Sequence, residues 1–124
     1  MSWAHGERNE QLCRQLFAQA VYFDWVVTTA FYASLHFVDE CIFPWTNDRG
    51  RTYNNIDAVV GQFANCGRHG TRALLVGQDH TDISQDYEYL LSNSMTARYK
   101  SFKTSAKEAE NAIECMENIK AHCE

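Results

Sequence analysis

Two histidines, two arginines and a few hydroxyl side chains are the residues best equipped for chemistry in this chain. His36 and His69 titrate near neutral pH and can move protons. Arg72 and Arg98 can hold a phosphate in a two-pronged fork. Tyr32, Ser94 and Tyr99 supply hydroxyl groups beside them.

Spacing determines which of these groups can act together. Read as a helix, Thr29, Tyr32, His36, Asp39 and Glu40 recur every three or four residues and form one polar seam on an otherwise apolar rod. Ser94 and Arg98 stand four apart with Tyr99 alongside, and His69 and Arg72 stand three apart, so each pair shares a helix face. Brought together in a bundle, the three groups would form a pocket that holds or cleaves a phosphodiester, with histidine moving protons and arginine meeting the charge on phosphate. On this reading His36, His69 and Arg72 are the candidate catalytic residues, and Tyr32, Ser94, Arg98 and Tyr99 the candidate ligand-binding residues. A second reading is structural. Buried polar groups need partners, and Arg72 and Arg98 would brace helices through Asp24, Asp39, Glu40 or carbonyl oxygens. A third takes Cys66-x-x-His69 with His36 and Cys41 as four metal ligands, but these come from separate segments and match no compact zinc pattern. No metal site and no cofactor are expected. The glycine-rich, zinc-protease and serine-hydrolase signatures are missing, and Gly61, Gly67, Gly70 and Gly77 are scattered rather than clustered as a phosphate cradle.

The elements that must position these residues read as helices. At 124 residues, 45% apolar and 22% charged, the chain suits one globular domain spanning residues 1–124. Pro44 is the one proline. A first helix is expected over about Glu7–Ala20. A second, over about Phe23–Phe43, is apolar nearly all round, as the buried centre of a bundle is. Residues 45–55 are turn-rich and read as an exposed loop. Short helices are expected over Ile56–Phe63 and Arg68–Val76. A fourth major helix, capped by Thr81 or Asp82, carries Tyr87, Leu90, Leu91, Ser94 and Ala97 on one face. The last helix opens on a capping box of Ser105 and Glu108, behind which Ala109, Ala112, Ile113, Met116 and Ile119 recur at helical spacing. No segment alternates as a strand. The expected fold is all-α, an up-and-down antiparallel bundle of four to five helices.

Charge and cysteine usage narrow the setting. A net charge of −5 excludes a general nucleic-acid footprint, yet Arg98, Lys100, Lys103 and Lys107 form a run free of acids. The first residues carry no apolar signal core, and no stretch reaches the length of a membrane span. Five irregularly spaced cysteines fit reduced thiols. The expected location is therefore cytoplasmic, with no membrane partner.

Three elements in series resemble one family. Asp24-Trp25-x-x-Thr28-x-x-Phe31-Tyr32-x-x-Leu35-His36 is followed by His69-x-x-Arg72. Tyr87-x-x-Leu90-x-x-x-Ser94-x-x-x-Arg98-Tyr99 then precedes the capped last helix. Together they resemble small stand-alone HEPN-domain proteins of prokaryotes, over about residues 5–121, with a longer middle segment than that family's usual connection. The resemblance implies a bundle of four or five helices that commonly forms a homodimer. Many members are metal-independent RNases of defence, toxin–antitoxin or mobile-element settings, in which both subunits contribute an Arg followed a few residues later by His. Here Arg98 leads into Tyr-Lys-Ser-Phe-Lys-Thr-Ser without a histidine, Arg72 reaches His80 only after seven intervening residues, and Arg68 is followed directly by His69. The expectation is thus a dimeric HEPN-like protein that binds RNA or a nucleotide at its Arg/His/Tyr cluster. A metal-independent RNase is the alternative, and an interaction module anchored by Trp45 and Tyr53 a second one.

Overall fold

Breaker-free sequence fills most of the chain, and the computed structural model, which describes residues 2–63 and 66–124, is helical to match. Among the described residues the α-helices are α1 (Ser2–Gln19), α2 (Phe23–Ile42), α3 (Ile56–Val59), α4 (Gly67–Asp79), α5 (Ser84–Tyr99) and α6 (Ala106–Cys123). Two short strands, β1 (Trp45–Thr46) and β2 (Thr52–Tyr53), and 3-10 turns at Val60–Gln62 and Thr81–Ile83 complete the elements. The expected all-α bundle is the observed architecture.

Helix α2 is the centre because its sequence is apolar nearly all round, apart from one polar seam. Val26, Val27, Ala30, Phe31, Ala33, Phe37 and Val38 are essentially inaccessible, and α1, α4, α5 and α6 all pack on α2. Two of its three buried hydroxyls turn back on their own helix, and the third, Ser34, has no hydrogen-bond partner among the described residues. Thr28 Oγ1 donates to the Asp24 carbonyl at 2.9 Å and Thr29 Oγ1 to that of Trp25 at 2.7 Å, which removes most of the cost of burying them. Helices α1 and α6 run antiparallel, as do α2 and α5, while α2 and α6 lie side by side in the same direction. Arg14 and Glu10 of α1 meet Glu117 and Lys120 of α6 in that order, at 3.0 and 2.8 Å. Tyr32 and Asp39 of α2 likewise lie toward the end and the beginning of α5.

Helix α1 begins earlier than its apolar stripe indicates, because Trp3 packs on Phe37 with ring centroids 4.5 Å apart. Gly6 makes that approach possible: a Cβ there would lie 2.7 Å from the Phe37 ring. Helix α6 starts with the capping box read from the sequence, Ser105 Oγ accepting from the Glu108 amide at 3.1 Å. Neither Thr81 nor Asp82 caps α5. Both lie in the preceding 3-10 turn, and the residue at the cap, Ile83, has no side-chain hydrogen-bonding group to offer.

The segment expected to be an exposed loop is instead a folded hairpin. Trp45 pairs with Tyr53 and Thr46 with Thr52. The Asn47 side-chain oxygen accepts from the amides of Arg49 and Arg51, each at 2.9 Å, and Gly50 takes φ +81°, which closes the turn. Tyr53 is only 3% exposed. Trp45 stacks on it and donates its indole N–H to Asp79 at 3.0 Å. Tyr53 is therefore held inside the fold, with Trp45 half-buried against it. No helix among the described residues is long and apolar enough to cross a membrane.

Candidate functional site

The four residues assigned to ligand binding do meet. Arg98, in the last turn of α5, reaches across to α2, where its Nη1 donates to the Tyr32 hydroxyl at 2.8 Å. Its Nε donates to the Ser94 carbonyl at 3.2 Å and its Nη2 to the Ser94 hydroxyl at 3.5 Å. The guanidinium carbon lies 5.0 Å from the Tyr99 ring centre, 5.3 Å from that of Tyr32 and 5.6 Å from that of Phe31, within cation–π range. Each acceptor is neutral, and no carboxylate among the described residues is within ion-pair distance of Arg98. One further N–H on each terminal nitrogen remains for a ligand. Tyr99 itself is 73% exposed.

Arg72 has a different fate. It is buried and bonded through two nitrogens to Asp39 of α2, so its charge is neutralised. This is the bracing arrangement that the sequence offered as one alternative. Around it stand the two candidate catalytic histidines. His69 packs edge-on against Phe31, at 5.4 Å between centroids, with a buried Nδ1 that has no hydrogen-bond partner. Burial first, then the charges of Arg72, Arg98 and Arg68, hold its pKa below the ordinary histidine value. His36 stacks on His5 at 4.1 Å and faces an open cleft of about 620 Å³ lined also by Asp39, Glu40 and Phe43. Its pKa is lowered by burial and by His5 and Arg72, against the opposing pull of Asp39. Both rings are thus neutral near pH 7 and suited to accept a proton. Arg72 influences both, but His69 belongs to the surroundings of Arg98 and His36 to the acidic cleft.

Cys66, His69, His36 and Cys41 are not gathered as a metal set. The one Cys/His group with ligand spacing among the described residues is Cys41, His80 and His122. Sequence spacing gave no hint of it, because its members stand at the ends of α2, α4 and α6. The sequence also left unmarked an exposed apolar surface around the start of α2. Val21, Tyr22 and Trp25 are 65%, 52% and 53% exposed, and Phe102 is 73% exposed. All four line a shallow groove with Lys103. Trp25 and Tyr32, seven residues apart on α2, share a helix face. Compared with protein-family models, curated proteins and solved structures, the chain matches none.

Proposed function

We propose that this is a HEPN-like protein that binds single-stranded RNA or a nucleotide at a surface centred on Arg98. The observation that carries the reading is the uncommitted charge of Arg98, held in place by neutral oxygens and flanked by the exposed ring of Tyr99. A phosphate takes the free guanidinium N–H groups. Bases stack on Tyr99, Phe102 and Trp25, which every base can do through its π-face. Lys100 and Lys103 are exposed on the same segment. With a net charge of −5 over the whole chain, attraction is local, so affinity has a shallow salt dependence.

Fluorescence anisotropy with a labelled oligouridine tests this. Arg98→Ala and Tyr99→Ala each weaken binding about tenfold or more, while Arg49→Ala, on the hairpin, leaves it unchanged. Absence of binding by the folded wild-type chain at low salt overturns the proposal. The same oligonucleotide, incubated with EDTA, tests the RNase alternative. That reading is favoured by neutral His69 next to Arg98, and it requires cleavage that His69→Ala loses. The exposed apolar side chains Val21, Tyr22, Trp25 and Phe102 favour one further reading, in which this face closes a homodimer. Light scattering that reports a dimer for the wild type and a monomer for Trp25→Ala supports it.

A further inference from the structure

On the opposite side of the molecule's chemistry, three potential ligand atoms converge from three separate elements. Cys41 lies in the last turn of α2, His80 directly after α4, and His122 in the last turn of α6. The Cys41 Sγ stands 3.6 Å from His80 Nδ1, and that same Nδ1 stands 3.1 Å from His122 Nε2. All three atoms lie within 4.8 Å of one another. The His80 backbone is pinned on both sides, its amide donating to the Val76 carbonyl at 2.8 Å and its carbonyl accepting from Ile83 at 3.1 Å. The imidazole is thus presented from a fixed point.

Hydrogen bonding alone does not use this arrangement well. A ring nitrogen has one in-plane position, which either donates or accepts, yet Nδ1 of His80 has two close neighbours. A bond between Nδ1 and His122 leaves the thiol only the longer contact to Nε2 of the same ring, at 4.0 Å. An ion between the three groups binds both neighbours of Nδ1 together, once the His80 ring turns its Nδ1 toward the sulfur, which now stands 4.0 Å from Nε2. Two edges of the triangle are close to those around one. Zinc bonds near 2.3 Å to sulfur and about 2.05 Å to nitrogen, at tetrahedral angles, separate S from N by about 3.5 Å and N from N by about 3.4 Å. The observed edges are 3.6 and 3.1 Å.

We propose that Cys41, His80 and His122 form a binding site for a zinc-type divalent transition metal. A mixed thiolate and imidazole set selects zinc or cobalt over calcium or magnesium, which prefer oxygen. Cys41 binds as the thiolate and releases its proton to solvent. His122 is exposed while Cys41 and His80 are half-buried, so the fourth position opens to water. Cys123 is within hydrogen-bonding reach of the Cys41 thiol. The metal joins the ends of α2, α4 and α6. The site is independent of the Arg98 surface, and neither proposal depends on the other.

The test is titration of the chelator-treated, reduced full chain with cobalt(II) under nitrogen. Expected are visible absorption bands of a tetrahedral ion and a near-ultraviolet sulfur-to-cobalt charge-transfer band, both removed by one equivalent of zinc. Cys41→Ser abolishes the charge-transfer band, and His80→Gln and His122→Gln each weaken cobalt binding at least tenfold, with circular dichroism verifying the fold. Cys66→Ser and His69→Gln retain full binding, and Cys123→Ser retains the charge-transfer band at full strength. Zinc raises the melting temperature of the wild type but not of His122→Gln. A charge-transfer band that survives Cys41→Ser, no cobalt spectrum in protein whose thiols titrate as free, or a Cys41–Cys123 disulfide re-forming in its place would each overturn the site.

Discussion

Arg72 and Asp39 join α4 to α2 through a two-bond fork, Nε to Oδ1 at 2.7 Å and Nη2 to Oδ2 at 3.0 Å, with the arginine side chain only 7% exposed. Two parallel bonds fix direction as well as distance. The pair therefore sets how α4 lies on the central helix, and with it where His69 sits relative to Phe31 and Arg98.

Removing one partner strands the other's charge in a nearly dry place. Arg72→Met and Asp39→Leu are each expected to cost about 2–4 kcal/mol, below the full penalty for a buried pair because Asp39 keeps 20% of its side chain exposed. The double variant recovers much of that loss. Urea unfolding of the four proteins measures the coupling; two single losses that simply add would mean that the fork contributes nothing as a pair.

Acid weakens the fold through its histidines before the carboxylates titrate. His36 faces His5, Asp39, Arg72 and Glu40, and His69 faces Arg72, Arg98 and Arg68. Both pKa values are lowered from 6.5, so as the pH drops the unfolded chain takes up protons before the folded one does. The stability contributed by the neutral rings is complete above about pH 7 and is lost progressively below about pH 6.5. Unfolding free energy measured in EDTA at steps from about pH 7.5 to 5 should fall, and His36→Gln with His69→Gln should flatten that fall. An equal slope in wild type and double variant would contradict it.

Two small residues, one in α1 and one just past its end, should respond in opposite directions. Gly6→Ala drives a methyl to 2.7 Å from the inaccessible ring of Phe37, so overpacking of about 1–3 kcal/mol outweighs the gain in helix propensity. Ala20, which ends the helix at φ 58°, occupies the left-handed conformation that glycine adopts freely. Ala20→Gly should stabilise by about 1 kcal/mol. Thermal melts of both variants check the signs.

Local spacing made much of this legible. The apolar surround of α2, the Ser105–Glu108 box and the stripe on α5 are repeats within one helix, and each appears where the pattern put it. The meeting of Tyr32 with Ser94, Arg98 and Tyr99 was legible for the same reason: two helices with polar residues at matching spacing have few ways to bury their seams. What escaped depends on distant segments. Trp45 and Tyr53 sit in turn-rich sequence that looks exposed, and only Asp79 and Phe63, brought from elsewhere, draw them in. Cys41, His80 and His122 have no mutual spacing at all, since their proximity comes from where three helices end.

The central place of α2 has a consequence for motion. Helices α1, α4, α5 and α6 each lean on it, so none can detach without exposing its core. The amides from about Val26 to Val38 therefore exchange with deuterium only when the whole molecule opens, whereas the hairpin after Pro44, packed at the periphery, exchanges through small local openings. The fold thus turns on a rigid axle within a yielding rim.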